Sequence, residues 1–185
     1  MSLPRVPAYV IGYSCLKGCV YGLFFWLPTF LDSKGPLIGD QKGFISSMID
    51  YGSIIGAITL GIAADKWNKR ALFLNPLLFL SAILMFLVSF VLEHPWQYYL
   101  AMLLMGISIG GPYNIICTVI TMDLGQRMNK KDSVARISSL IEGVAAFASA
   151  IEMIIIPYIP FTLIFYLFSA ECVVATYVLW PLFLE

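Results

Sequence analysis

The sequence is dominated by six apolar segments, each long enough to cross a lipid bilayer as a helix. A transmembrane helix needs about 20 consecutive, mostly apolar residues. The segments cover about residues 8–31, 43–64, 71–92, 96–122, 135–156 and 161–184 of the 185-residue chain. Because the connections between them are short, the sequence predicts an all-α polytopic membrane protein with a single six-helix transmembrane domain over residues 1–185.

The composition excludes water-soluble classes of protein. Hydrophobic residues make up 60% of the chain and charged residues 12%, whereas soluble domains average about 45–50% apolar and about 25% charged residues. So few charges cannot cover a surface that faces water. The 11 basic and 11 acidic residues also cancel, so no net positive field attracts nucleic acid. The partner that this composition implies is the lipid bilayer.

Basic residues alternate between the connections and so orient the helices. Two connections are rich in them: the second-to-third holds Lys66, Lys69 and Arg70, and the fourth-to-fifth holds Arg127, Lys130 and Lys131. The connection after the first span holds Lys34 and Lys42, and the remaining two hold no Lys or Arg. Because basic loops stay on the inner side of a membrane, the alternation supports six spans. It predicts that both termini lie on the cytosolic or matrix side.

Small residues at helical spacing predict close helix contacts. Helices in lipid approach most closely where glycine or alanine recurs every four residues, as in the pairs Gly18 and Gly22, Gly52 and Gly56, and Gly106 and Gly110. The step Gly110-Gly111-Pro112 also predicts a kink in the fourth span, because proline removes a backbone donor there.

The four cysteines, Cys15, Cys19, Cys117 and Cys172, all lie in apolar runs. Cys15 and Cys19 are four residues apart and share one helix face, which is the spacing of a metal pair. No His or further Cys lies near them in sequence, so we favour buried cysteines that act as small hydrophobic side chains. The sequence predicts neither a metal site nor a cofactor.

Five ionisable residues fall inside the spans: Lys17, Asp50, Glu142, Glu152 and Glu171. Each costs about 2.5–3.5 kcal/mol at the bilayer centre on insertion scales, so each should face the bundle interior, a cavity or a partner. Lys17 is the basic member, and an ammonium in mid-membrane suits an anionic group such as phosphate. A buried salt bridge with Asp50 or Glu142 explains it equally well.

The three remaining acids have structural explanations. Asp50 fits an interfacial hydrogen-bond acceptor near the mouth of its span, and Glu171 fits an interior hydrogen bond. Glu152 needs an interior partner or a contact with another chain. No enzyme pattern accompanies these acids: His94 lies in a turn without a metal partner, and the chain contains no nucleophile motif or P-loop.

One connection carries a specific pattern. Residues 61–70 follow the spacing G-x-x-x-D-[RK]-x-G-[RK]-[RK], with Asn68 in place of the second glycine. This resembles the signature loop that joins the second and third helices of each half of a major facilitator superfamily transporter. The positions that match the pattern are Gly61, Asp65, Lys66, Lys69 and Arg70.

Further segments resemble the C-terminal half of the sugar-phosphate and phosphate antiporters within that superfamily. They are residues 21–30, 50–56, 111–114 with 123–125, and 165–171. The resemblance implies a transport module whose substrate is an anionic phosphate ester. It also implies substrate-binding roles for Lys17, Tyr13, Tyr21, Asn114 and Glu142.

The fifth span departs from the pattern of the family. Glu142 replaces the usual Asp, and Ala145, Ala148, Glu152 and Met153 stand where small or helix-breaking residues are expected. Alanine in place of glycine stiffens a helix. These changes suit a six-helix half that no longer makes the rocking movement of a transport cycle.

Two functions follow from the resemblance. In the first, the chain supplies half of a phosphate-ester antiporter and needs a second six-helix half, from another chain or a second copy. In the second, the half-transporter is a non-catalytic accessory subunit of a larger membrane complex, of which a mitochondrial inner-membrane complex is one example. The start at Met1 and the short tails favour a complete chain in this second case. The resemblance leaves two membranes open, the mitochondrial inner membrane and that of the endoplasmic reticulum.

Overall fold

A computed structural model describes residues 6–33, 41–67, 71–88, 94–116 and 131–183. The described residues form six long helices: α1 (Val6–Ser33), α2 (Lys42–Trp67), α3 (Ala71–Val88), α4 (Pro95–Ile116), α5 (Lys131–Ile155) and α6 (Phe161–Phe183). They correspond in order to the six predicted spans. The largest difference at a described helix end is at α5, which begins at Lys131 rather than at residue 135.

Five of these helices are long and apolar enough to cross a membrane, and α3 contributes a shorter apolar stretch over Leu74–Val88. The predicted third and fourth spans run on beyond Val88 and Ile116 into residues outside the described part. The all-α polytopic fold is therefore confirmed, with a third helix that is shorter than its neighbours in the described residues.

Helix α1 lies in the middle of the bundle, where it packs against α5 and α6 and also touches α2. The other main pairs are α2 with α4, and α3 with α6. In the apolar stretches of α1 and α4, 56% of residues are buried, against 28% in α2 and 22% in α5. Helices α1 and α4 are thus central, while α2 and α5 leave broad apolar faces uncovered.

The predicted glycine pairs mark the closest helix crossings. A Cβ atom at Gly106 would lie 2.9 Å from the Cα atom of Gly52, and one at Gly56 would lie 3.0 Å from the Cα atom of Ile107. Backbone therefore meets backbone where α2 crosses α4. Gly18 has a different role, because a Cβ atom there would collide with the carboxylate of Glu152 on α5.

Helix α4 departs from α-helical geometry at the glycine-proline step that predicts a kink. Gly106–Gly110 forms a π-helical segment, and the helix continues through Pro112 to Ile116. Proline has no backbone N–H and its ring crowds the carbonyl four residues earlier. A wider π turn just before Pro112 accommodates both effects, and such turns are frequent at functional sites.

Candidate functional site

The site is built around Lys17, which lies about 16 Å along α1 at 1.5 Å per residue and has a side chain only 2% exposed. Its Nζ atom forms an ion pair with the Oε1 atom of Glu142 on α5. Of the two carboxylates that the sequence offers as partners, the structure therefore selects Glu142. The two charged residues lie on α1 and α5, which pack closely against each other.

Two tyrosines of α1 surround the ammonium because they lie one turn before and one turn after it. The Nζ atom of Lys17 is 5.9 Å from the ring centroid of Tyr13 and 5.4 Å from that of Tyr21. Both distances are within the range of about 6 Å for cation–π attraction. The spacing of four residues on one helix is what places the three side chains on a common face.

Tyr113 on α4 completes the cluster, and the sequence analysis did not single it out. Its ring stacks parallel to that of Tyr13, with centroids 5.8 Å apart. Side-chain hydrogen bonds link Tyr113 to Tyr13 and Tyr13 to Glu142. The sequence feature that could have indicated Tyr113 is its position beside Asn114, in the segment that resembles the sugar-phosphate antiporters.

The cluster of Lys17, Tyr13, Tyr21, Tyr113 and Glu142, which we call the Lys17 cluster, opens on the side of Glu142. The Glu142 side chain is 46% exposed, while that of Lys17 is almost fully covered. The Oε2 atom of Glu142 is itself buried and has no hydrogen-bond partner among the described residues. One oxygen of this carboxylate is therefore committed to Lys17 and the other is unsatisfied.

Two of the expected site residues make their contacts elsewhere. Asn114 is exposed, and its Nδ2 atom donates to the backbone oxygen of Gly110 at 2.9 Å. Asp50 is exposed on α2, and the backbone oxygen of this residue accepts from Ser53. The structure thus does not bring these two side chains into contact with Lys17.

The remaining intramembrane acids, Glu152 and Glu171, lie together. Both side chains line an open cavity of about 360 Å³ with Ser14 and Cys15. The Oε1 atom of Glu152 and the Oε2 atom of Glu171 are buried and have no hydrogen-bond partner among the described residues. Gly18 makes room for this arrangement, since any larger residue would displace Glu152.

The structure describes only part of residues 61–70, the segment that matches the signature pattern. Gly61 lies within α2 with no atom within 4 Å of a Cβ position, and Asp65 and Lys66 lie in the last turns of that helix. Lys69 and Arg70 lie outside the described residues. The role of these positions in a latch stays a prediction.

Comparison with known proteins agrees with this helical arrangement. The family model described as Major Facilitator Superfamily matches residues 2–151. Sugar phosphate exchanger 3 of Xenopus laevis is 28% identical over 97% of this chain and 37% of its own length. Sugar phosphate exchanger 3 of Bos taurus is 32% identical over 85% of this chain and 32% of its own length.

A third relative is glucose-6-phosphate exchanger SLC37A1 of Mus musculus, which is 30% identical over 80% of this chain and 29% of its own length. The chain thus spans about a third of the length of these curated relatives. No solved structure matches it. Because the family model covers residues 2–151 of a membrane-spanning helical bundle, the chain belongs to the Major Facilitator Superfamily.

Proposed function

We propose that the chain is one six-helix half of an antiporter that exchanges a phosphate ester for inorganic phosphate. The observation that carries this proposal is the Lys17 cluster, in which a buried cation inside an apolar helix has tyrosine rings around it and the carboxylate of Glu142 as its counter-ion. Buried cations inside the membrane are rare and mark substrate or ion pathways. The relatives named as sugar phosphate and glucose-6-phosphate exchangers support the same class of substrate.

The chemistry of binding follows from the partners of Lys17. An ammonium has three donors and no acceptor, and a phosphate oxygen takes the place of the Glu142 carboxylate as its anionic ligand. The hydroxyl groups of Tyr13 and Tyr113 are near enough to Glu142 and to each other to donate to the same anion. Released from Lys17, Glu142 turns toward its exposed side.

A second six-helix half is needed for exchange. Transporters of this type bind substrate near the midplane between two repeats, which rock against each other around the site. The open side of the Lys17 cluster and the uncovered faces of α2 and α5 fit a matching half, from another chain or from a second copy. The alternation of basic loops supports an orientation with both termini in the cytosol or matrix, in a mitochondrial or endoplasmic-reticulum membrane.

The test is uptake of labelled inorganic phosphate into proteoliposomes that hold the chain in its native assembly and are preloaded with a sugar phosphate. Lys17→Ala should lower uptake about 10- to 100-fold, because hydrogen bonds to charged groups contribute about 1.5–3 kcal/mol and about 1.4 kcal/mol corresponds to tenfold. Lys17→Arg keeps the positive charge and should retain most of the uptake.

Lys42 offers a matched control, since it is an exposed lysine that forms an ion pair with Asp32 outside the bundle core. Lys42→Ala removes the same charge but should leave uptake unchanged. Uptake in the Lys17→Ala variant equal to that of the wild type would reject Lys17 as the anion ligand.

A second candidate function is that of a non-catalytic accessory subunit in a larger membrane complex. The observation that favours it is the completeness of the Lys17–Glu142 pair, which neutralises the buried cation without any substrate. In this case the uncovered faces of α2 and α5 meet helices of unrelated subunits. Native purification separates the two functions: comigration with a large complex supports the accessory subunit, and a transporter-sized particle supports the antiporter.

A further inference from the structure

Three sulfur atoms from three helices meet in the interior of the bundle. The Sγ atom of Cys19 on α1 is 3.5 Å from the Sδ atom of Met85 on α3 and 3.6 Å from the Sγ atom of Cys172 on α6. The third side of the triangle, between Cys172 and Met85, measures 4.0 Å. All three side chains are fully buried. We call these three residues the sulfur triad.

The triangle has the dimensions of a metal site. The point equidistant from the three sulfurs lies about 2.1 Å from each of them, as follows from the three sides. Bonds between a metal and cysteine sulfur are of similar length, about 2.3 Å for zinc. The three ligands therefore already surround a position that a small adjustment of side chains makes suitable for trigonal coordination.

The chemistry of the ligands selects a soft, singly charged ion. No group of three His, Cys, Asp or Glu side chains among the described residues could hold a metal ion, and here the thioether of Met85 completes the set. Thiolate and thioether ligands favour Cu(I). Because Cu(I) carries one positive charge, the loss of one thiol proton makes the loaded site neutral, and neutrality suits an apolar interior where a net charge is costly.

An open cavity lies about one helical turn from the sulfur triad. Cys15 lies one turn from Cys19 on α1, and Glu171 directly precedes Cys172 on α6. Cys15 lines the open cavity of about 360 Å³ together with Ser14, Glu152 and Glu171. Cys15 offers a fourth sulfur between the cavity and the triad.

We propose that Cys19, Met85 and Cys172 bind one Cu(I) ion in a trigonal site, which is reached through the cavity that Cys15, Glu152 and Glu171 line. The bond-forming step replaces one thiol proton by the metal, and the released proton leaves through the same cavity. The oxidation state of copper does not change, so the step needs no electron donor or acceptor. The site is separate from the Lys17 cluster and does not depend on phosphate exchange.

The test uses the full chain in lipid nanodiscs under anaerobic conditions, with its thiols reduced beforehand and Cu(I) supplied in competition with a bathocuproine chelator. We expect the protein to retain one Cu(I) per chain. X-ray absorption should show three sulfur neighbours at about 2.1–2.3 Å, near metal–sulfur bond lengths. Mass analysis of a separate, alkylated aliquot of the unloaded protein checks that Cys19 and Cys172 are free thiols rather than a disulfide.

Variants separate the site from nonspecific binding. Cys19→Ser and Cys172→Ser should each weaken Cu(I) binding at least about tenfold, since even outer-shell changes at metal sites cost about 10- to 100-fold. Met85→Leu should also weaken it and, as a volume-conserving change, should leave the fold intact. Met102→Leu is the matched control, because Met102 is equally buried but outside the triad, and it should change nothing.

Two results would overturn the proposal. The first is that the folded, reduced wild-type protein takes up no Cu(I). The second is that the double variant with Cys19→Ser and Cys172→Ser retains full uptake while its circular dichroism and elution volume match those of the wild type. Either result would leave the phosphate-exchange proposal unaffected, since Lys17 takes no part in this site.

Discussion

Lys17 shows how one charged residue is accommodated in mid-membrane. Its insertion into the membrane costs about 2.5–3.5 kcal/mol. The ion pair with Glu142 offsets this cost, and so do the two tyrosine rings, which contribute about 0.5–2 kcal/mol each. From the sequence it follows that Lys17 needs an acidic partner, but not which one. Asp50 and Glu142 both offer a carboxylate, and only the rotation and packing of α2 and α5 decide which of them reaches Lys17.

Removal of the Glu142 charge should destabilise the fold. Glu142→Gln leaves the ammonium of Lys17 buried without its counter-ion, and broken buried ion pairs cost about 3–5 kcal/mol. We expect a loss near the lower end of that range, because Glu142 is partly exposed. Denaturation in mixed micelles measures the free energy of unfolding.

Two further variants check this prediction. The addition of Lys17→Met to Glu142→Gln should recover most of the lost stability, because no unpaired charge then remains. Asp50→Asn removes an exposed carboxylate and should have little effect. If Glu142→Gln alone left the unfolding free energy at its wild-type value, the ion pair would not contribute to the stability of the fold.

At the scale of elements, the crossing of α2 and α4 depends on glycines rather than on hydrophobic contrast. Lipid tails are as apolar as the helices, so van der Waals contact must hold the helices together. The contact of Gly52 with Gly106 lies at the first residue of the π-helical turn of α4. The glycine spacing predicts that these helices have a close face, but the pairing of the two faces follows only from the fold.

Gly106→Ala should separate α2 from α4, because the new methyl group would lie 2.9 Å from the Cα atom of Gly52 and closer still to the backbone oxygen of Ile49. Overpacking of this kind costs about 1–3 kcal/mol. Gly143→Ala is the matched control, since nothing lies within 4 Å of its Cβ position, and alanine should there stabilise the helix by up to about 1 kcal/mol. Thermal unfolding in detergent compares the two, and equal melting temperatures would contradict the crossing.

At the scale of the whole molecule, the two least covered helices are also those with acids on the open side. Asp50 is exposed on α2, and Glu142 is half exposed on α5. Charges that face lipid are costly, so these faces fit a protein partner or an aqueous cavity. Helix α3 carries no charged residue over Ala71–Val88, and its outer face fits lipid.

Photo-cross-linkers placed on the surface of the bundle should distinguish these faces. Ile58 on α2 and Phe147 on α5 are 59% and 70% exposed, and a probe at either position should capture a protein in native membranes. Phe79 on α3 is 54% exposed, and a probe there should capture lipid alone. Mass spectrometry of the adducts identifies a second six-helix half or an unrelated subunit. Lipid adducts alone from all three positions would contradict a partner on α2 and α5.

The sequence by itself determined the number and order of the long helices among the described residues, because span length and hydropathy are properties of contiguous residues. It also determined the family, since the signature pattern is local. Tertiary structure alone decided that Lys17 pairs with Glu142, that Tyr113 joins them and that Glu152 meets Glu171. It likewise brought Cys172 and Met85 to Cys19. From the sequence, Cys19 had only Cys15 as a neighbouring cysteine, and no third ligand was evident. These contacts join side chains far apart in the chain, and their formation depends on how each helix is rotated and packed against its neighbours.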